Sequence, residues 1–368
     1  MTPPASILLV AGARPNFPKI APLIRALRRR SEPLRPVLVH TGQHYDYAMS
    51  QVFFEDLELP PPDHHLGVGS GTHAAQTGQV LVRMEALLAE RRPALVVVVG
   101  DVNSTLAAAL AAAKLGVPVA HVEAGLRSFD RTMPEEINRI LTDRLSTLLF
   151  ATEQAAVENL RREGFDDRGA HLCGNVMADE LLHHRRRIDE RRAAARLGLA
   201  RRGYGLVTLH RPSNVDDAAA LRRVLAVLRE AARRGSVVFP MHPRTRRRIE
   251  ESGLSRDFSA LAGLRAIAPQ GYLDFLSLLE SAAWVMTDSG GLQVEAGCLE
   301  VPCLTLRTTT EHVLTLEEGR NRLVAMRPEA VAEGLDWAAA WRPVRPLPAV
   351  WDGAASERIA AVIAANVA

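Results

Sequence analysis

Short runs of consecutive apolar residues alternate with longer segments of helical spacing along the first half of the chain. The apolar runs occupy residues 7–12, 37–41, 95–100, 119–123 and 148–152. Because they are continuous rather than alternating, they indicate strands that are covered on both faces, as in parallel sheets. Helical patterns at 79–91, 105–115 and 135–145 lie between these runs. This βαβ repetition predicts an open, doubly wound parallel sheet.

The pattern is interrupted at residues 180–202, where Arg, Ala and Glu dominate and no strand is predicted. We expect a connecting helix and a linker there. A second βα series follows, with apolar runs at 206–210, 237–240, 264–267, 285–288 and 303–306.

The two series predict an α/β protein of two Rossmann-like, doubly wound domains with an interdomain cleft. The N-terminal domain is predicted at residues 1–178 and the C-terminal domain at 179–353. A last helical pattern places a helix at 354–368, which we expect to pack back on the N-terminal domain.

Composition narrows the class of protein. With 368 residues, 47% hydrophobic and 24% charged, the chain is expected to be soluble and globular, with enough sequence for two domains. The net charge is only +3, which argues against a nucleic-acid partner, although all but two of the 45 cations are arginine. No apolar stretch reaches the roughly 20 residues that a membrane helix needs. Three cysteines without metal-binding spacing, and no signal-peptide pattern, predict a reducing, cytoplasmic location.

The segment after the first predicted strand is a candidate anion site. Residues 12–19 read GARPNFPK, so a glycine turn leads into a helix start that Arg14 and Lys19 flank. A plain βα turn with solvated cations fits the same residues. The chain has no GxGxxG after a strand and no Walker sequence, which disfavours NAD and P-loop ATP binding.

Three acids stand close to strand ends in the first half: Asp101, Glu123 and Glu135. Such acids are often helix caps or turn formers. However, ligands of doubly wound sheets bind outside the carboxyl ends of the strands. We therefore predict that these carboxylates converge on the cleft and divide acid and base roles.

The second half offers polar residues at equivalent places. His210 and Arg211 end its first strand, and His242 follows the second. Residues 287–295 read TDSGGLQVE and join a strand to a helix, where backbone N–H groups can approach a phosphate. Glu295, one turn into that helix, can accept hydrogen bonds from ribose hydroxyls. A capped glycine turn and a structural histidine are the alternatives.

In order and spacing these pieces resemble the non-hydrolysing UDP-N-acetylglucosamine 2-epimerases, over roughly residues 7–324. The matching segments are GARPNFPKIAP at 12–22, TGQH at 41–44, GD at 100–101, HVEAGLR at 121–127, PEEINR at 134–139, GN at 174–175, HR at 210–211, TDSGGLQVE at 287–295, Arg307, and TE at 310–311. The resemblance implies a glycosyltransferase-B-type fold and reversible inversion at C2 of a UDP-sugar.

The resemblance also assigns roles to individual residues. Asp101, Glu123, Glu135 and His210 match the catalytic positions of that family. The positions that contact substrate and UDP in that family are matched by Arg14, Lys19, Arg139, His242, Phe275, Ser289, Gly290, Gly291 and Glu295. In many members a second substrate molecule activates the enzyme, and Gln43, Glu136 and Arg211 match that regulatory site, which His242 also matches.

The implied reaction eliminates UDP to give a 2-acetamidoglucal and then adds UDP back after protonation of the opposite face of C2. UDP is retained as an intermediate, and no nicotinamide, metal or other cofactor is implied. The implied partners are a UDP-sugar and a second copy of the chain, with no membrane or nucleic acid. We expect Asp101 and Glu123 to act at C2, supported by Glu135 and His210.

The chain departs from the common family pattern at three places. His312-Val313 replaces Arg-Pro, Val294 replaces a glutamate, and Glu300 replaces a glycine. These changes leave open another UDP-2-acetamido sugar, such as a 2,3-diacetamido uronate. A hydrolysing epimerase and a glycosyltransferase of the same fold also remain as alternatives, and a non-enzymatic polyanion-binding protein is a weaker one.

Overall fold

The computed structural model describes residues 4–42, 47–166, 169–343 and 346–367. It divides into two compact units. The first unit comprises Met1–His183 together with Ala349–Ala368, and the second comprises His184–Pro348.

The first unit is built on a parallel sheet with the strand order β3-β2-β1-β4-β5-β6-β7. Its strands are β1 (Ala5–Ala11), β2 (Leu34–His40), β3 (His64–His65), β4 (Leu95–Val99), β5 (Val119–Ala124), β6 (Leu148–Ala151) and β7 (Ala170–Leu172). The central strands β1 and β4 are almost wholly apolar and buried, which suits a sheet covered on both faces.

The helices of the first unit cover both faces of this sheet. They are α1 (Phe17–Arg29), α2 (Tyr47–Asp56), α3 (His73–Arg91), α4 (Asn103–Lys114), α5 (Pro134–Leu145), α6 (Gln154–Arg162) and α7 (Val176–His183). The connections from β3 through β6 all step in one direction, whereas those from β1 to β3 step in the other. Because crossovers are right-handed, α3, α4 and α5 lie on one face and α1 and α2 on the opposite face.

The second unit repeats this plan with the order β10-β9-β8-β11-β12-β13, also parallel. Its strands are β8 (Tyr204–Thr208), β9 (Ser236–Pro240), β10 (Leu264–Ile267), β11 (Trp284–Thr287), β12 (Cys303–Thr305) and β13 (Asn321–Leu323). Its helices are α8 (Arg185–Arg191), α9 (Ala193–Arg196), α10 (Pro212–Val215), α11 (Ala218–Arg233), α12 (Pro243–Glu251), α13 (Ser255–Ser259), α14 (Tyr272–Ser281), α15 (Gly291–Cys298), α16 (Val313–Glu317) and α17 (Pro328–Ala340).

The last helix, α18 (Ala355–Val367), belongs to the first unit and packs on α1 and α7. The first backbone amides of α18, those of Ala355 (3.2 Å) and Ser356 (2.6 Å), donate hydrogen bonds to the Asp179 carboxylate. A side chain from α7 therefore caps a helix that lies about 176 residues later in the chain.

These observations confirm the predicted fold of two Rossmann-like parallel sheets. Each predicted strand overlaps an observed one, but β3, β7 and β13 were not predicted, because their residues (HH, AHL and NRL) contain no continuous apolar run. The connecting helix and linker expected at 180–202 correspond to short helical pieces followed by residues 197–203, which form neither helix nor strand. The structure has the end of α7 and two short helices, α8 and α9, and Arg192 between these two adopts a left-handed backbone conformation.

Among the described residues, no helix is long and apolar enough to cross a membrane.

Candidate active site

In the first unit the chain reverses its winding direction between β1 and β4. The loops after these two strands therefore leave the sheet on opposite sides, which is where doubly wound sheets bind ligands. Asn16 holds the two loops together. Its Oδ1 accepts hydrogen bonds from the amides of Gly12 (2.9 Å) and Ala13 (3.0 Å), and its Nδ2 donates to the Val99 carbonyl (3.2 Å).

Glu123 occupies an unusual place at the end of β5. The pairing of β5 with β6 shifts register between Val122 and Ala124, and Glu123 has φ +74°. Bulges and left-handed backbone at a non-glycine residue are costly and are found where a side chain must be aimed. The Glu123 side chain is 5% exposed; one oxygen is paired with Lys19, and Oε1 has no hydrogen-bond partner among the described residues.

Lys19 lies in the first turn of α1, where the helix dipole disfavours a cation. Burial alone would lower the pKa of Lys19, but attraction to the Glu123 and Asp101 carboxylates raises it above its ordinary value. Gly100 makes this arrangement possible. It has φ +66°, and a Cβ there would stand 2.9 Å from Lys19 Nζ.

Asp101 follows Gly100 and is paired with Arg139, whose other amino group lies 2.9 Å from Glu136 Oε2. Glu136 is 1% exposed and also accepts hydrogen bonds from the amides of Ser128 and Phe129, both at 2.9 Å. It thus anchors the loop that precedes α5. Lys19 and Arg139 together bring two carboxylates, Asp101 and Glu123, to one edge of the sheet.

Glu135 and Arg14 stand at the margin of this group. Glu135 is half-buried in the first turn of α5, and its side chain makes no hydrogen bond or ion pair within the described part of the chain. Arg14 lies in a short 3-10 helix after β1, with its guanidinium 5.7 Å from the centre of the Phe53 ring. Gln43 lies outside the described residues.

The second unit has its own reversal between β8 and β11, and His210 lies there. Asp288, fully buried at the end of β11, accepts hydrogen bonds from the amides of His210 (3.1 Å) and Arg211 (3.0 Å) and from Asn214 Nδ2 (2.9 Å). Its Oδ1 lies 3.0 Å from His210 Nδ1, while the His210 side chain is 48% exposed. The Asp288 carboxylate therefore holds Nδ1 of His210, and Nε2 is the ring nitrogen that remains available to a ligand.

The glycines that follow Asp288 are packed closely. Gly290 is the N-cap of α15 and Gly291 its first residue. A Cβ on Gly290 would lie 2.4 Å from Glu311 Oε1 and 3.4 Å from His312 Nε2, so a side chain there would displace the Glu311 carboxylate. Glu311 forms a buried ion pair with Arg307 at 2.7 Å. The unusual His312 is thus buried against the start of α15.

The remaining predicted residues of this unit make contacts with residues other than Asp288. The Ser289 amide donates to Thr287 Oγ1 (3.0 Å), and Glu295 accepts a hydrogen bond from the Tyr272 hydroxyl (2.9 Å). Phe275 is half-buried near the start of α14. His242 is exposed and caps α12, its Nδ1 accepting from the Arg244 amide at 3.2 Å.

In the first unit, direct contacts pair Lys19 with Glu123 and join Asp101 and Glu136 through Arg139. Lys19 also lies near enough to Asp101 for attraction to that carboxylate to act on its pKa. In the second unit, His210 and Arg211 meet through Asp288. Sequence analysis missed Asn16 and Asp288 as positioning residues. Both lie inside segments that it had singled out, but neither type of residue distinguishes a hydrogen-bond anchor from a turn residue.

Within the described ranges, no group of three or more His, Cys, Asp or Glu residues is arranged to hold a metal ion.

Comparisons with known proteins identify a family for this chain. A sequence model of the family described as UDP-N-acetylglucosamine 2-epimerase matches residues 25–364. The UDP-N-acetylglucosamine 2-epimerase of Methanocaldococcus jannaschii is 42% identical over 89% of this chain and 90% of its own. The UDP-2,3-diacetamido-2,3-dideoxy-D-glucuronate 2-epimerase of Pseudomonas aeruginosa is 44% identical over 89% and 90%.

A solved structure extends the similarity to three dimensions. The crystal structure of the M. jannaschii UDP-GlcNAc 2-epimerase in complex with UDP-GlcNAc and UDP has a TM-score of 0.91 and 39% identity, covering 97% of this chain and 99% of that one. The match of the family across most of the chain, with relatives above 40% identity, settles the assignment. This chain belongs to the UDP-N-acetylglucosamine 2-epimerase family.

Proposed function

We propose that the protein catalyses the reversible conversion of UDP-N-acetylglucosamine to UDP-N-acetylmannosamine without net hydrolysis. The observation that carries this proposal is the geometry of Glu123. A bulged strand end aims a buried carboxylate, Lys19 holds one oxygen, and the other oxygen lacks a partner among the described residues. Such a group is prepared to exchange a proton with a ligand.

The proposed reaction has two halves. In the first, a carboxylate removes the C2 proton, and the electrons of the C2–H bond form the C1–C2 double bond. The C1–O bond breaks at the same time, and UDP leaves with the electron pair of that bond. In the second, a proton is delivered to the opposite face of C2 and UDP re-adds at C1. Inversion therefore requires two proton carriers, one on each face.

Asp101 is the proposed second carrier. Arg139 orients it, as Lys19 orients Glu123. The two carboxylates reach the same edge of the sheet from different strand ends, so they can approach a ring from different directions. We assign the C2 chemistry to this pair and a supporting role to Glu135 and His210.

The departing UDP needs a preorganised anion site. Residues 289–291 and the start of α15 supply backbone N–H groups and a helix dipole for this purpose. Arg14 and Phe275 are proposed contacts of the nucleotide sugar and of uracil, respectively. Because only protons and UDP move, the proposed cycle needs no further cofactor.

A second substrate deserves a parallel test, because the P. aeruginosa relative that acts on a UDP-2,3-diacetamido uronate is as similar as the archaeal ones. The C2 chemistry would be the same for this sugar. The two candidates differ at C3 and C6, so direct comparison of kcat/KM on both UDP-sugars separates them.

The decisive experiment is proton NMR of each UDP-sugar with the protein in deuterium oxide. We expect the C2-inverted UDP-sugar, with deuterium at C2 and little free sugar. Accumulation of UDP with free N-acetylmannosamine would instead show a hydrolysing enzyme. Turnover that requires a sugar acceptor would show a glycosyltransferase.

Variants of the two carboxylates test the assignment. Glu123→Gln and Asp101→Asn should each lower kcat about 10²- to 10⁴-fold. Glu250→Gln, an exposed change on α12 in the other unit, is the control and should keep normal turnover. Near-normal turnover in both site variants would refute the proposed roles.

We also propose a cytoplasmic homodimer. Val82 on α3 and Ile137 and Leu141 on α5 are exposed apolar side chains on one face of the first unit, which is suited to a partner surface. Light scattering coupled to gel filtration should give twice the chain mass of 40.1 kDa. A monomer at micromolar concentration would contradict the dimer.

A further inference from the structure

The imidazole of His121 lies in the interior of the first unit, directly beneath the turn that carries Asp101. Both His121 and its neighbour Asp143 are fully buried. His121 Nδ1 is 2.6 Å from Asp143 Oδ1, and Nε2 is 2.8 Å from the carbonyl oxygen of Gly100. Both ring nitrogens therefore face hydrogen-bond acceptors at short range.

These two contacts constrain the protonation of the ring. A neutral imidazole carries one N–H, so one of its nitrogens would present a lone pair to an oxygen. An imidazolium donates from both nitrogens and satisfies both contacts. The geometry thus selects the doubly protonated ring.

We propose that His121 is a buried imidazolium that positions the catalytic Asp101 by fixing the Gly100–Asp101 peptide. This role rests on the proposed epimerase function, because it assigns to Asp101 an orientation that the C2 chemistry requires. His121 touches neither the substrate nor the reacting atoms and is a positioning residue.

The surrounding charges support a buried cation at this place. Asp143 also accepts a hydrogen bond from the Gly125 amide (3.1 Å) and pairs with Arg127 (2.7 Å), which in turn pairs with Glu163 (2.7 Å). Without a charge on His121 one guanidinium would face two carboxylates, so a protonated ring would balance the group. Burial acts to raise the pKa of Asp143, but attraction to and hydrogen bonding from His121 and Arg127 outweigh it, so that the pKa is lowered overall.

The Gly100–Asp101 turn is held from several sides. The Gly100 amide donates to the Val122 carbonyl (3.1 Å), and Asn138 Nδ2 donates to the Asp101 carbonyl (2.8 Å). His121 contacts the Gly100 carbonyl, which lies between the Gly100 amide and the Asp101 carbonyl along the chain. Because Cα of Gly100 faces the Lys19–Glu123 pair, rotation of this peptide would disturb both carboxylates.

The same network reaches the other side of Glu123. Asp143 binds the Gly125 amide, two residues after Glu123, while His121 lies two residues before it. The His121–Asp143 pair therefore fixes the backbone on both sides of the bulged residue and the turn before Asp101. One buried pair orders both proposed proton carriers.

Two conservative variants separate the two hydrogen bonds of the ring. The amide nitrogen of Gln in His121→Gln stands near the Nε2 position and can donate to Gly100. The amide nitrogen of Asn in His121→Asn stands near Nδ1 and can donate only to Asp143. Both variants remove the buried charge, so each serves as the stability control for the other.

The expected result is a kcat for His121→Asn that is 10- to 100-fold below that of His121→Gln, at equal folded fraction and with similar KM. Equal kcat values, or a lower kcat for His121→Gln, would overturn the positioning role. A purely structural role would make kcat follow the melting temperature rather than the identity of the retained donor.

An independent measurement uses the unmodified protein. With ¹⁵N-labelled histidine, the His121 ring of the folded protein should show protons bound to both nitrogens, assigned by comparison with His121→Gln. A ring with one bound proton would overturn the proposal. This spectrum does not depend on turnover, whereas deuterium uptake at C2 by the wild type tests the epimerase function separately.

Discussion

Asp288 Oδ1 lies 3.0 Å from Nδ1 of His210, and the same carboxylate receives the backbone amide of that histidine. The acid therefore fixes both the ring and the backbone of the residue. This pairing leaves His210 Nε2 as the nitrogen that can meet a ligand. His210 is therefore oriented by Asp288 rather than by other contacts of its own exposed side chain.

Replacing Asp288 should impair His210 without removing it. We expect Asp288→Asn to lower kcat about 10- to 100-fold, because the ring loses its charged anchor. The measurement is C2 inversion followed by NMR. Asp216→Asn is the matched control, because Asp216 pairs with Arg244 at the surface of the same unit and should be dispensable for turnover.

The same variant predicts a change in acid stability. Burial acts to raise the pKa of Asp288, but the hydrogen bond from and attraction to His210, with further donors from Asn214 and Arg211, lower it overall. Ionised Asp288 therefore contributes stability in full above about pH 4, and this contribution is lost as pH falls through its folded-state pKa. The stability difference between wild type and Asp288→Asn should shrink below about pH 4. A constant difference would contradict the assigned shift.

Lys19 offers a test of the buried ion pair. Lys19→Met leaves the Glu123 carboxylate buried without its cation, which should destabilise the protein by about 3–5 kcal/mol and lower kcat at least about a hundredfold. Urea unfolding and the NMR assay measure the two effects. The exposed Lys114, the other lysine of the chain, provides the control variant Lys114→Met.

The double variant sharpens this prediction. Combining Lys19→Met with Glu123→Gln removes both charges, so we expect the double variant to be more stable than Lys19→Met alone. Simple additivity of the two single losses would show that Lys19 and Glu123 do not interact energetically in solution.

The sheets could be predicted from the sequence because buried parallel strands carry continuous apolar runs. β4 is LVVVV and buried throughout, whereas the short β13 (NRL) has no such run. At 180–202 the sequence predicts a helix and a linker, but a charged helical pattern does not show where a helix breaks. The left-handed Arg192 between α8 and α9 has no sequence signature.

The site could be predicted only as a set of positions. Motif spacing placed Asp101, Glu123 and Lys19 near strand ends, but their pairing depends on a bulge at Glu123 and on the space left by Gly100. Likewise, His121 and Asp143 are 22 residues apart in sequence and meet only because α5 packs against β5. Such contacts follow from tertiary packing, which a single sequence does not display.

The buried thiols should be unreactive in the native protein. Burial raises the pKa of Cys173 and of Cys303 to about 12 in each case, and the thiolate is the form that alkylating reagents attack. Mass spectrometry after iodoacetamide treatment at pH 8 should find both cysteines unmodified, and modified once urea is added. Equal labelling rates with and without urea would contradict this expectation.

Glu300 should be a site where glycine stabilises the fold. It follows α15 with φ +53°, and the amides of Glu300 and Val301 donate to the carbonyls of Gly297 (3.3 Å) and Ala296 (2.9 Å). This hydrogen-bond pattern is the Schellman motif, whose left-handed position favours glycine.

Glu300→Gly should therefore raise the free energy of unfolding by about 1 kcal/mol, measured by urea denaturation, because it relieves the left-handed backbone strain. Glu300→Ala is the control, since it removes the same carboxylate but keeps the Cβ and the strain. If the glycine variant were no more stable than the alanine variant, the backbone at this helix end would not be strained.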